Sequence, residues 1–261
     1  MLELHHWEPN AFFLKALIAL KEKEASFTSR YFDPTRFEQF APAFPRNVES
    51  GLHLEREGPL LVHDGTIVSS SFFMLEYIAE ALPGPELNPG KALERYRARA
   101  WGQFLGLSLG AGVSALGCAK YLAPVLAKRD AAELKAKIAA IEPVERRTAW
   151  SAVADGAYDE TTVAAVLEKM KFPVQRVEDA LAKSAWLTGP AYSIADIDAF
   201  AMLTVMPALA PAVVNPQATP RIAEFLDRMR ERRAVKDALA MTKTGKPHEA
   251  FVPGAEPSRW G

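Results

Sequence analysis

The sequence predicts an α+β chain in two parts, a small mixed domain of β-α-β then β-β-α order followed by an all-helical domain. Three observations carry this. Strand and helix patterns alternate over residues 1–82, a stretch dense in proline and glycine follows from Leu82 to Gly90, and Leu93 to Leu239 then reads as helix after helix with no convincing strand. The expected organisation is a mixed domain at 1–82, a linker at 83–92, a helical domain at 93–241 and an irregular tail at 242–261.

Each element has a local reason. Leu2–Trp7 reads as a strand, and the chain turns at Glu8-Pro9-Asn10. Ala11–Glu24 reads as a helix, with Phe13, Leu17 and Leu20 at helical spacing. Phe27–Phe32 is rich in aromatic and polar strand formers. Leu60–Val68 reads as a hairpin, because two apolar runs flank Asp64-Gly65 and a glycine there tolerates the positive φ of a primed turn. Ser69-Ser70-Ser71 offers capping hydroxyls to a helix from Phe72 to Ala81. Beyond the linker, breaks fall at Pro124, Pro143, Pro173, Gly189-Pro190 and from Pro207 to Pro220. Pro247, Pro253 and Pro257 mark the tail as irregular.

Composition narrows the classes. Of 261 residues 49% are apolar and 24% charged, with a net charge of −1, so neither nucleic acid nor an anionic membrane surface is called for. A single cysteine, Cys118 between Gly117 and Ala119, excludes an intrachain disulfide and suits a buried, inert thiol. The N-terminal stretch lacks a basic run followed by an apolar one, and the expected setting is the cytoplasm. Trp101–Ala119 has no charge over nearly membrane-spanning length, but its glycines, serines and glutamine favour a buried helix with close neighbours.

The layout of β-α-β, β-β-α, linker and helices resembles that of the cytosolic glutathione transferases, which implies a thioredoxin-like first domain and an all-α second domain. Gly189-Pro190-Ala191-Tyr192-Ser193-Ile194-Ala195-Asp196 resembles that family's G-x-x-x-S-x-A-D segment. Its physical content is a capping box, with Ser193 at the cap and Asp196 bonding back to the cap's N–H. Trp186-Leu187 and Ile197-Asp198-Ala199-Phe200 fit the family's buried core helix. Within the family the likeness is to the bacterial β-aryl etherases, carried by Asn10–Leu20 with Lys15 inside it, by Phe32-Asp33-Pro34 with Phe37-Glu38-Gln39, and by Leu61-Val62-His63-Asp64-Gly65. The resemblance implies use of glutathione to cleave β-ether bonds in lignin-derived aromatic dimers, by thiolate attack at the β-carbon with phenolate leaving.

The same resemblance locates a site and exposes its departures. A Ser or Asn is expected at the start of the first helix, where it would favour the thiolate, but Phe12 and Phe13 stand there and neither ring donates to sulfur. Asn10 is the nearby polar candidate, unless it only shapes the turn after Pro9. Pro59 matches the family's cis-proline before the third strand, and Gly58 retains the backbone that would meet the glutathione cysteine, but Glu55, Arg56 and Glu57 are bulky and charged, and the two carboxylates among them would repel an anionic tripeptide. Ser71 matches the serine that holds the γ-glutamyl end, while Ser70 replaces an acidic or amide residue. The glycines of Trp101–Ala119 lie where the fold lines the pocket and the dimer cleft, ready for close approach of another backbone or an aromatic substrate.

Backbone features of the site thus persist while its side-chain chemistry is largely gone. The expected reading is a subunit of a glutathione-dependent etherase whose own site is degenerate, working in a heterodimer with an intact sister chain, a homodimer remaining open, with glutathione bound mainly by the partner. Two alternatives stay open: a divergent transferase active alone through Asn10 or backbone donors, and a non-enzymatic binding or structural protein on this scaffold. No metal site is expected, since adjacent His5 and His6 point to opposite faces of a strand and His63 belongs to the hairpin. Arg146-Arg147 and Arg228–Arg233 read as solvated helix faces, and no P-loop, GxGxxG or GxSxG is present.

Overall fold

The run from Leu2 to His6 forms strand β1 in a computed structural model of the chain, which describes residues 1–45, 59–69, 71–88 and 90–254, with Ser71 described by its backbone alone. Helix α1 follows over Ala11–Glu22, then β2 over Thr28–Tyr31. Strands β3 (Leu60–His63) and β4 (Thr66–Val68) lead into α2 (Ser71–Ala81). Among the described residues the sheet runs β2-β1-β3-β4. β1 pairs parallel with β2, with Leu4 opposite Ser29, and antiparallel with β3, with Leu4 opposite Leu61. The β3–β4 turn has Asp64 at φ 49° and Gly65 at φ 83°, the two positive values of a primed turn. β2 is the exposed edge, and Arg30 on it pairs with Glu3 at 2.9 Å, a charge that discourages further strand addition.

Helix α1 is apolar on every side, with all but Phe12 buried from Ala11 to Leu20, so it is a core helix. It packs against α2 within the mixed domain and against α9 (Ile194–Leu203) and α12 (Arg233–Leu239) of the helical part. Two polar contacts fasten this seam. Lys15 of α1 forms an ion pair with Asp198 of α9, both side chains essentially inaccessible. Burial pushes the Asp198 carboxyl up, and the Lys15 ammonium opposes that. Arg232 pairs with Glu22 through two N–H donors, at 2.6 and 2.9 Å, and lies 3.7 Å from the centre of the Tyr192 ring. The sequence expectation of a solvated face at Arg228–Arg233 therefore fails at Arg232, whose guanidinium is drawn inward by the mostly covered Glu22 carboxylate.

The long run Ala92–Leu126 consists of α3 (Ala92–Leu105), a π-helical stretch (Gly106–Gly110), α4 (Ala111–Gly117), a second π-helical stretch (Cys118–Leu122) and α5 (Ala123–Leu126). It is long and apolar enough to cross a membrane, but 67% of its most apolar window is buried inside the molecule, against helices that include α8 (Glu160–Leu181) and α9. Four of its glycines, Gly102, Gly110, Gly112 and Gly117, admit close neighbours, and those neighbours are the chain's own side chains, while Gly106 has open space. A Cβ at Gly102 would lie 1.9 Å from the Phe72 ring, and one at Gly112 2.1 Å from the Met170 sulfur. Cys118 is buried, as expected.

Side-chain carboxylates cap several of the helix starts. Asp130 accepts from the Glu133 N–H at 2.8 Å and begins α6 (Ala131–Ala139); Asp159 accepts from Thr162 at 2.7 Å and begins α8. Asp196 accepts from the N–H of Ser193 at 2.9 Å and of Leu187 at 2.8 Å, the expected capping box extended by one donor. Burial pushes its carboxyl up to about 6 against those donors. Helix α10 (Met206–Leu209) is one short turn. Helix α11 (Pro220–Glu231) has Pro220 at its first position, and the Glu178 carboxylate of α8 caps it by accepting from the Arg221 and Ile222 N–H groups, each at 2.9 Å.

Candidate functional site at the first helix start

The turn between β1 and α1 is tight. The Asn10 N–H donates to the Glu8 carbonyl at 2.7 Å, and Ala11 is held at φ 42°, a left-handed value that costs a non-glycine residue about 1 kcal/mol or more. Asn10 is the residue before the helix, in extended conformation, yet its side chain makes no capping bond. It is 2% exposed, and its amide donates instead to the carbonyl of Ala250 at 2.8 Å. The candidate thiolate donor therefore sits at the helix start but is committed to the chain's own C-terminal segment.

Phe12 and Phe13 part company. Phe13 is buried with Trp7, Phe32, Phe44, Leu60, Ala250 and Val252, edge-on to Trp7 at 6.2 Å and to Phe32 at 5.8 Å. Phe12 turns towards the helical part, where a Cβ at Gly110 would lie 3.3 Å from its ring and the Lys15 ammonium stands 5.1 Å from its centre. Both rings pack within this chain.

What the sequence read as an irregular tail is a fastened strap. Over its described residues, 242–254, it has no regular secondary structure beyond a short 3-10 turn at Pro247–Glu249, but Ala250, Phe251 and Val252 are buried. Its near end is held by Glu8, 1% exposed, whose carboxylate accepts from the Thr242 hydroxyl, from the Lys243 and Thr244 N–H groups at 2.9 and 3.1 Å, and from the Tyr31 hydroxyl at 2.7 Å. Burial alone would raise the Glu8 carboxyl, but the Thr242 and Tyr31 hydroxyls and the two backbone donors outweigh it and hold it below its ordinary value. Further along, Ser114 donates to the Val252 carbonyl at 2.6 Å, and Arg146 donates to those of Pro253 at 2.7 Å and Gly254 at 3.2 Å. Arg146 lies on α7 (Val144–Ala154) and is 5% exposed, so the expectation of a solvated face fails there because the strap's carbonyls recruit its guanidinium. The Phe251 ring stacks on Tyr121 at 5.8 Å and covers Gly117, where a Cβ would lie 2.1 Å from it.

The space left at the helix start is small. Asn10, Ala11, Phe12, Phe13, Ala250, Phe251 and Val252 enclose about 10 Å³, room for one water molecule at most. Of the other expected site residues, Pro59 is buried directly before β3, close to this aromatic cluster through its neighbour Leu60. Gly58 and Ser70 lie outside the described residues, as do Glu55–Glu57, and Ser71 begins α2 with its side chain outside the description. Ser69 is buried, and its hydroxyl has no hydrogen-bond partner among the described residues. His6 is buried with its ring nitrogens against the Trp7 carbonyl at 2.6 Å and the Ser29 hydroxyl at 2.7 Å, while His63 meets the Tyr77 hydroxyl at 2.8 Å. Sequence reasoning missed Glu8, Ser114 and Arg146, and the one available signal was a buried-looking apolar triplet, Ala250-Phe251-Val252, inside the tail.

Comparison with known proteins agrees with this architecture. Residues 131–233 match the glutathione S-transferase C-terminal domain. Protein LigF of Sphingobium sp. strain SYK-6 is 28% identical over 248 residues, 93% of this chain and 94% of LigF. The crystal structure of that β-etherase superposes with a TM-score of 0.83 at 27% identity, covering 92% of this chain and 99% of that one. Glutathione S-transferase GstA of Escherichia coli O157:H7 is 26% identical over 90% of this chain and 96% of its own length. A glutathione transferase of Burkholderia graminis, solved with two glutathione molecules bound per subunit, shares the fold at a TM-score of 0.67 and 22% identity, covering 93% of this chain and 88% of that one.

Proposed function

From the premise that this chain has the glutathione S-transferase architecture, and a likeness to the β-etherase LigF over nearly its whole length, we propose that it is a subunit of a glutathione-dependent β-aryl etherase. Its substrates are lignin-derived aromatic ether dimers, its setting is the cytoplasm, and its own thiol site is degenerate. A sister transferase chain with a Ser or Asn at the start of its first helix completes the pair and binds most of the glutathione. The observation that carries this reading is the helix start itself, where Phe12 and Phe13 replace a donor and the Asn10 amide is spent on Ala250.

A second observation supports a partner. Phe73 of α2, Tyr96 of α3, Leu107 of the π-helical stretch and Phe172 of α8 are each more than half exposed. Phe73 and Phe172 are linked by a row of aromatic contacts, Phe72 with Phe73, Trp101 with Phe104 and Phe104 with Phe172, with Phe72 lying over Gly102. An exposed apolar row of this kind fits a subunit interface. The test is phenol release from a β-ether aromatic ketone with glutathione, by this chain alone, by the sister chain alone and by the two together. The expected result is turnover that rises when this chain joins its sister. Full turnover by this chain alone, or a sister chain indifferent to its presence, would sink the proposal.

A further inference from the structure

The geometry points to an intramolecular latch: the strap over residues 242–254 holds the first helix start shut, and its release opens that start to glutathione. The inference rests on the proposed family function only for the identity of the ligand. Three observations carry it. The strap's Ala250–Val252 packs against Asn10, Phe12 and Phe13 with a gap of only about 10 Å³ left between them. It is held by discrete polar contacts from elements far apart in the chain, namely Glu8 before α1, Ser114 on α4 and Arg146 on α7. Its backbone from Ala250 to Gly254 belongs to no helix or sheet ladder, so release breaks side-chain contacts and no secondary structure.

Glycine at 117 makes the latch testable from the side remote from the ligand. The Phe251 ring lies against it, and a Cβ there would stand 2.1 Å from a ring carbon. Within a helix, alanine is otherwise favoured over glycine, so Gly117→Ala displaces the ring without weakening the helix intrinsically. A second variant, Ser114→Ala with Arg146→Met, removes the strap's far anchors and leaves Gly117 alone. Neither change touches Asn10, Pro59 or the serines at the start of α2.

The experiment measures two things on full-length chains without a partner. Hydrogen exchange of the amides of residues 243–254 reports the strap, and titration calorimetry with glutathione reports the site. The expected result is slow exchange and at most weak binding in the unaltered chain. In at least one variant, exchange should accelerate tenfold or more and glutathione affinity should rise by a similar factor. Three outcomes would overturn the latch: a loosened strap with unchanged affinity, an unaltered chain that binds glutathione as tightly as the variants, or a strap that neither variant loosens. Failure of the etherase proposal is separate, because it is read from product release with the sister chain and not from binding to this one.

Discussion

The side-chain amide of Asn10 donates to the carbonyl of Ala250 at 2.8 Å, across 240 residues of chain, with Asn10 only 2% exposed. That bond joins the first turn of the molecule to the strap. Asn10→Ala leaves the Ala250 carbonyl without this donor, and an unsatisfied buried acceptor costs about 1–3 kcal/mol. The expected outcome is a lower denaturation midpoint in urea at unchanged slope. Asn10→Asp should cost more, because an ionised carboxylate would face the same carbonyl with no proton to offer.

Glu8 makes the strap sensitive to acid. Its ordinary pKa is 4.5, and in the folded chain the carboxyl is held lower, chiefly because the donors from Thr242, Tyr31, Lys243 and Thr244 outweigh its burial. The nearby His6 ring feels the charges of Glu8 and of Lys243, whose ammonium stands 4.4 Å from the centre of the Tyr31 ring. Between the folded and unfolded values the unfolded chain binds more protons. The contribution of Glu8 is therefore complete above pH 4.5 and is lost as pH falls through the folded value. Urea midpoints measured from pH 6 down to pH 3, in steps, should fall more steeply for the unaltered chain than for Glu8→Gln, and parallel curves would contradict the assignment.

Lys15 and Asp198 form the buried pair between α1 and α9, both side chains almost fully enclosed. Removing one partner strands a buried charge, so Lys15→Met should destabilise by about 3–5 kcal/mol. Replacing both, Lys15→Met with Asp198→Leu, should recover most of that loss, since the stranded charge goes with its partner. A double-mutant cycle by chemical denaturation checks this, and additive costs would mean that the pair is not coupled.

The exposed aromatic row predicts association. Phe172 is 65% exposed and Phe73 62%, and neither is needed to fill the core. Phe73→Asp with Phe172→Asp should leave the thermal midpoint of the isolated chain within a few degrees and abolish assembly. Sedimentation velocity on the unaltered and doubly substituted chains, alone and with the sister subunit, reads both. Unchanged assembly would place the interface elsewhere.

Much of this molecule was legible locally. Asp64-Gly65 made its turn because glycine and, at small cost, aspartate accept positive φ. Ser193 and Asp196 made their capping box because the partners lie three residues apart. The departures at Phe12 and Phe13 were visible as residue types unable to donate, and the charge-free stretch from Trp101 was legible as a helix needing close neighbours. In each case the deciding interaction spans a few residues or is a property of one side chain.

What the sequence by itself determined is the set of elements, their order, and the absence of a hydroxyl where a thiol would be held. Only the tertiary structure decided what lies against that helix start. Asn10 meets Ala250, Ser114 meets Val252, and Arg146 meets Pro253, pairs separated by 107 to 240 residues. Such contacts leave no period or spacing in the chain. Arg146 looks like any charged helix residue until a strap with free carbonyls is laid beside it, and a proline-rich tail looks irregular until its few apolar side chains find a groove lined by glycine.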